Sequence, residues 1–166
     1  MSMTPEQDHS SVAVSLDVEK AFDTLGWSFL MTTLQEMGFG AGFTRWISII
    51  YTNRKARIKT SAIISEKFDI GRGTQQGCPL SPLLFALAIE PLAARLRNET
   101  VEWGIPDGEE FRIISLYADD ALIYLRNHTE SLPHILQLLN TFGHLSGLRV
   151  NWSKSCIFPM CPSPTP

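Results

Sequence analysis

The chain has 166 residues, 44% hydrophobic and 19% charged, with 14 Lys and Arg against 17 Asp and Glu for a net charge of −3. This composition fits one globular domain with a real core and excludes bulk disorder. The acidic balance excludes the basic field of a free-standing nucleic-acid binder, so any such contact must be local.

In chain order, a polar lead over 1–11 precedes Val12 to Leu16, whose alternation predicts a short buried strand ending in Asp17. Asp17 to Asp23 reads as a turn. Trp27 to Met37 carries apolar residues at helical spacing and stops at Gly38. Gly40 to Tyr51 is a second helix, expected to present Phe43, Trp46, Ile47 and Ile50 on one face. Lys55 to Thr60 and Glu66 to Ile70 read as two strands joined by Ser61 to Ser65. A glycine-rich loop, Gly71 to Gly77, leads through Cys78-Pro79 to a long helix, Leu83 to Arg97, with Ser81 as its N-cap and Pro82 in its first position. Asn98 to Glu110 is a linker. Phe111 to Arg126 is a β-hairpin, and Thr129 to Leu145 a helix buried through Leu132, Ile135, Leu136, Leu139 and Phe142. Leu148 to Val150 and Ser155 to Phe158 are short strands, and the tail from Pro159, with four prolines in eight residues, reads as disordered. The order β, αα, ββ, α, ββ, α, β predicts an α+β fold, a small antiparallel sheet with helices on one face.

The hairpin carries the chemistry. Apolar runs flank an adjacent acidic pair, Asp119-Asp120, at its tip. A single turn Asp needs no function, because its side chain bonds local backbone donors. Two adjacent carboxylates between apolar walls repel, and a divalent cation relieves them. From this stretch alone the plain turn and the metal site stand level. Asp17, at the end of another strand, is the second acidic position. If the two strands neighbour each other at about 4.8 Å, Asp17 and Asp119 come within reach of a shared ion. Oxygen-only ligands suit magnesium, and a magnesium pair roughly 3.5 to 4 Å apart serves phosphoryl transfer. Cys78, Cys156 and Cys161 have no paired spacing, and His9, His128, His134 and His144 are scattered, so no zinc site is expected. No basic-then-apolar leader and no run of about 18 apolar residues is present, which points to a reducing, intracellular setting away from membranes, nucleus and cytoplasm being indistinguishable.

Four blocks in order carry a resemblance: SLDVEKAFD (Ser15 to Asp23), GTQQGCPLSPLLF (Gly73 to Phe85), YADD (Tyr117 to Asp120) and GLRVNWSKS (Gly147 to Ser155). Together they resemble the palm of a reverse transcriptase, specifically that of non-LTR (LINE-type) retrotransposons, from about Val12 to Phe158. The resemblance implies an RNA-directed DNA polymerase that uses two magnesium ions, with manganese as a substitute, and works on an RNA template, a DNA primer and deoxynucleoside triphosphates. It implies that Asp17 and Asp119 hold the ions with help from the Val18 carbonyl, Asp120 being the second member of the pair with a less direct part. Main-chain donors at Lys20 and Ala21 would meet the triphosphate, and Phe22 would exclude a ribose 2′-hydroxyl. Gln76 and Gly77 would let template and nucleotide approach the backbone, Tyr117 and Ala118 would flank the primer terminus, and Lys154 would protonate the leaving pyrophosphate.

Blander readings stand beside these. Phe22 is also a plausible core residue, Tyr117 an ordinary strand tyrosine and Lys154 a solvated lysine. Lys55, Arg57 and Lys59 alternate onto one strand face, either a solvated surface or a stripe for a nucleic-acid backbone. RNA-templated RNA polymerases and nucleotide cyclases share palm-type sheets, but Phe22 and Ala118 argue against both. A palm remnant that folds or binds nucleic acid without polymerising is the rival from another class. The resemblance also implies fingers and thumb, and in a polyprotein an endonuclease, none of which the 166 residues accommodate, so little activity is expected of the chain alone.

Overall fold

The computed structural model describes residues 11–160 except Gln76, Thr100, Glu109 and Ala118. The polar lead before Ser11 and the tail from Cys161 lie outside the described residues.

Strand β1 (Val12–Leu16) buries Val12, Val14 and Leu16 and leaves Ala13 and Ser15 half-buried, the period-two pattern of a sheet with one covered face. The Asp17 to Asp23 segment is more than a turn, because Lys20 takes a left-handed conformation (φ 46°) and opens a one-turn helix, α1 (Ala21–Thr24). Helix α2 (Trp27–Glu36) ends in a Schellman-type cap, with Phe39 N–H on Leu34 O and Gly38 N–H on Gln35 O at a Gly38 φ of 78°. Helix α3 (Ala41–Tyr51) follows, and it buries Thr44, Ile47 and Tyr51. Of the face expected to be buried only Ile47 is; Phe43, Trp46 and Ile50 are exposed. The cap fixes how α3 leaves α2, while the Thr44 hydroxyl, bonded to the carbonyls of Gly40 and Ala41, enters the interior satisfied.

The two expected strands shrink to β2 (Lys55–Ala56) and β3 (Phe68–Asp69), which among the described residues pair only with each other. Beyond them a single Lys59–Ile64 bridge and the Ser65 hydroxyl, which accepts from Ile58 N–H, replace a regular ladder. Helix α4 (Leu80–Glu99) begins three residues before the expected start. Its first-turn N–H groups lack helical acceptors in any case, which is why Pro82 sits there without cost. Ser81 lies inside the turn and donates its hydroxyl to Gln75 O at 2.7 Å.

The expected linker is structured. A 3-10 turn, Val101–Trp103, runs into β4 (Ile105–Asp107), which pairs with β5 (Glu110–Arg112). Phe111 and Arg112 therefore belong to this ribbon, and the acidic hairpin is β6 (Ile114–Tyr117) with β7 (Asp120–Leu125). Helix α5 (His128–Ser146) matches expectation within a residue at each end, though Leu138 is buried where Leu136 was expected. Leu148 to Val150 contributes one bridge, Val18 to Val150, and β8 (Cys156–Pro159) carries the last strand into the expected tail.

The sheet order is β6-β7-β1-β8, antiparallel throughout. Its inner face meets the stripe of α4 formed by Leu84, Phe85, Ala88, Leu92 and Leu96, joined by Leu30 and Leu34 of α2 and Ile135 of α5, in one core. The architecture is the α+β polymerase palm, a small antiparallel sheet with helices packed on it. No helix among the described residues is long and apolar enough to cross a membrane.

Candidate active site

The sheet register places the acidic residues. Leu16 pairs with Ala121, so the next step along β1 brings Asp17 level with Asp120, and Asp119 lies in the turn one residue further on. Asp17 and Asp119 line a single open cleft of about 410 Å³ with Val18, Lys20, Ala21, Phe22 and Lys154. These residues come from three of the four blocks read from the sequence.

Hydrogen bonds tie the parts together. The Asp17 carbonyl accepts from Asn151 N–H at 2.8 Å, and Asp17 N–H donates to the Ser155 hydroxyl at 3.2 Å. That hydroxyl donates onward to Asn151 O at 2.8 Å, while Lys154 N–H bonds the same carbonyl at 3.2 Å. The turn that carries Lys154 is thus knotted to the main chain of Asp17. Glu19 N–H bonds Arg149 O at 2.8 Å, and this pairing leaves the Val18 carbonyl out.

The glycine-rich loop backs the same site. Gly73 N–H bonds Leu25 O, Thr74 N–H bonds Phe22 O, and the Trp27 indole donates to Gly73 O at 2.7 Å. Gly73 has φ +83°, and a Cβ there would meet Asp23 O at 2.7 Å, so only glycine allows this approach. The Phe22 ring packs on Phe85 of α4, centroids 4.9 Å apart. Arg54 lies over Tyr51 and donates to the Gln75 side chain at 2.6 Å. Burial pushes the Tyr51 hydroxyl up, opposed by a hydrogen bond with Ser81 and by the Arg54 charge. The Cys78 thiol is held below its ordinary range, first by a hydrogen bond with the Leu80 main chain.

Asp17, Asp119 and Asp120 have no cation or hydrogen-bond donor on their carboxylates among the described residues. Asp17 and Asp119, two of the four carboxylates that line the cleft, form with a carbonyl free of the sheet pairing a hard-oxygen set, and magnesium is commonly bound by one or two carboxylates completed by water and substrate phosphate. The residues fit such an ion. Among the described residues no cluster of three or more His, Cys, Asp or Glu side chains is close enough to hold a metal without such added ligands.

Other expected residues lie apart. Asp120 is exposed at the start of β7 and does not line the cleft, and Tyr117, opposite it, is 83% exposed. Gly77 has φ +80° and is exposed, while Gln76 and Ala118 are outside the described residues. Lys55 pairs with Asp69 at 3.3 Å, and Arg57 and Lys59 are exposed along the same ribbon, away from the cleft. Glu19, Asp23 and Asn151 also line the cleft, a role sequence reading did not give them. For Glu19 and Asp23 the signal was present in their closeness to Asp17; for Asn151 only the fold brings it there.

The chain is similar to known proteins over nearly its whole length. Residues 2–161 match the protein family described as reverse transcriptase (RNA-dependent DNA polymerase). The chain is 33% identical over 142 residues to the Transposon TX1 uncharacterized 149 kDa protein of Xenopus laevis, covering 86% of this chain and 11% of that protein. It is 34% identical over 156 residues to a Retrovirus-related Pol polyprotein from type-1 retrotransposable element R2 of Popillia japonica, covering 93% and 22%. Among solved structures, apo telomerase from Candida Tropicalis superposes with a TM-score of 0.68 at 10% identity, over 90% of this chain and 29% of that one. Telomerase from Candida albicans in complex with the TWJ fragment of telomeric RNA gives 0.60 at 13% identity, over 95% and 27%. The chain spans less than a third of each of these proteins. Its four sequence blocks, its palm sheet and the match across nearly its whole length lead to one assignment: the chain belongs to the reverse transcriptase family, as a domain of the non-LTR retrotransposon type.

Proposed function

We propose that this chain is the catalytic palm of an RNA-directed DNA polymerase that joins a deoxynucleotide to the 3′-hydroxyl of a DNA primer on an RNA template. The observation that carries the reading is the convergence of Asp17, Phe22, Asp119 and Lys154, from distant parts of the chain, on one cleft.

Asp17 and Asp119, with the Val18 carbonyl, would hold two divalent cations, magnesium or manganese, which when bound neutralise charge on the triphosphate and lower the pKa of the primer hydroxyl. Asp120 adds negative charge at the hairpin from outside the cleft. The N–H groups of Lys20 and Ala21 have no acceptor among the described residues, which supports their part as donors to triphosphate oxygens. Phe22, backed by Phe85, holds a wall against a ribose 2′-hydroxyl. Gln76 and Gly77 give template and nucleotide close access to the backbone, and Tyr117 and Ala118 meet the primer terminus. The Lys154 ammonium donates a proton to a pyrophosphate oxygen as the P–O bond breaks. Lys55, Arg57 and Lys59 contribute sequence-independent phosphate contacts. Fingers, thumb and an endonuclease belong to the larger polyprotein in which this palm works.

The test is single-nucleotide incorporation on an RNA-templated DNA primer at enzyme excess, with calorimetry of magnesium and manganese binding. Asp17→Asn and Asp119→Asn should each weaken ion binding about tenfold or more and abolish incorporation. Incorporation that persists in both variants would overturn the assignment.

A further inference from the structure

A second cleft, about 980 Å³, opens between the start of α2, the Gly71–Arg72 loop, the C-terminal end of α5 and the segment from Gly147 to Trp152. It shares only Glu19 with the catalytic cleft, and the Val18–Val150 bridge with the Glu19–Arg149 hydrogen bond separates the two. Two of its lining residues, Arg72 and Arg149, have guanidinium groups with no hydrogen-bond, ion-pair or ring partner among the described residues. By contrast Arg54, Arg97, Arg112 and Arg126 all have partners. Trp152, also lining the cleft, is 59% exposed and stacks on no other ring among the described residues, whereas Trp27, which lines it too, is held by its indole bond to Gly73 O. His144, in the last turn of α5, adds a further donor, and Glu19 is the one carboxylate that faces them.

Arg45 and Arg57 also lack partners among the described residues, but in a chain of net charge −3 Arg72 and Arg149 line one cleft with an exposed indole, which leaves their hydrogen-bonding and stacking capacity unused in a concave site. Guanidinium forks match phosphate oxygens, and an exposed indole offers a face to a planar base; together these are the parts from which unpaired nucleotides are bound. The volume lies at the upper end of the range for small-ligand clefts and exceeds what a single base requires. We propose that this cleft is a second nucleotide-binding site, independent of the metal cleft, in which Arg72 and Arg149 take phosphate and Trp152 stacks an unpaired base. A free nucleoside triphosphate and a single strand share that chemistry.

The full chain is titrated in EDTA, so that the catalytic cleft holds no ion, with ATP, inorganic tripolyphosphate and a single-stranded RNA hexamer, followed by calorimetry. ATP or the hexamer should bind more tightly than tripolyphosphate, and whichever binds about tenfold tighter names the source of the ligand. Arg72→Ala with Arg149→Ala should weaken that binding about tenfold or more, and Trp152→Ala should remove the preference for a base while Trp152→Phe restores most of it. Asp17→Asn and Asp119→Asn should leave it unchanged, which separates this site from the catalytic reading. Absence of binding, equal affinity for tripolyphosphate and ATP, or binding lost in the aspartate variants but not in the arginine pair would each overturn the proposal.

Discussion

Phe22 is placed both to pack and to bound the candidate site, and the two parts separate by measurement. Its ring is half-buried against Phe85 and also lines the cleft. Phe22→Ala should cost about 1–3 kcal/mol in chemical denaturation, below the full-burial cost because one side is open. In a chain context that polymerises, it should also raise ribonucleotide over deoxyribonucleotide incorporation about tenfold or more. Equal loss of both would make it a core residue alone. Gly73 gives a sharper case. An alanine Cβ would press on the Asp23 backbone at 2.7 Å from a left-handed φ of +83°, so Gly73→Ala should cost about 2–4 kcal/mol. Gly71, with open space around its Cβ, should tolerate alanine within about 1 kcal/mol in the same denaturation series. The sequence showed a glycine-rich loop without showing which glycine it depends on, because the steric partner, Asp23, is brought in by tertiary packing. The Asn151–Ser155 knot on Asp17 was hidden for the same reason. Asp17, Asp119 and Lys154 were legible because each sits inside a short block whose neighbours repeat a family pattern.

Elements with a single dominant face were read well, and those shared between weak neighbours were not. β1 and β7 alternate strictly, and their pairing follows from burial. For α5 the helix was right but its buried stripe included Leu138 in place of Leu136. On α3 apolar content pointed to one face and docking used another, leaving Trp46 68% exposed while Ile47 and Tyr51 are buried. Hydrophobic periodicity reports the most apolar stripe of a helix, and the exit angle set by the Gly38 cap decides which stripe meets the core. Ile47→Ala should therefore cost about 2–4 kcal/mol, whereas Trp46→Ala should stay within about 1 kcal/mol. Thermal denaturation of the two variants side by side decides it, and a larger loss for Trp46 would restore the face expected from sequence. The β4–β5 ribbon went unread because the Gly104, Pro106 and Gly108 spacing resembles a linker, while the contacts that hold it, Arg126 over Phe111 and Trp103 against His134, join distant segments.

At the scale of the whole molecule, electrostatics limits what the palm does alone. Phosphate contacts provide most sequence-independent affinity for nucleic acid, and each contact steepens the loss of binding with salt. Here the net charge is −3. On the β2–β3 ribbon, Lys55 is already engaged with Asp69 at 3.3 Å, which leaves Arg57, Lys59 and Lys67 as its exposed cations without a partner among the described residues. Few cations bear on a duplex, while four carboxylates, Asp17, Glu19, Asp23 and Asp119, line the cleft where its terminus would lie against only Lys20 and Lys154. The hold on a primer–template is therefore expected to be weak and short-lived, even with the candidate catalytic residues gathered in one cleft. The 166-residue chain should add single nucleotides under enzyme excess and release the primer after each addition. Its binding to an RNA–DNA hybrid should show a shallow dependence of log affinity on log salt, equivalent to about two or three phosphates. Arg57→Ala with Lys59→Ala should lower that slope by about two, with little change in divalent-ion binding at Asp17 and Asp119. Primer extension against a trapping excess of unlabelled hybrid reads the first expectation, and a salt titration by anisotropy reads the second. Processive extension past the trap, or a slope that the double variant leaves unchanged, would show that the duplex is gripped by a surface other than this ribbon.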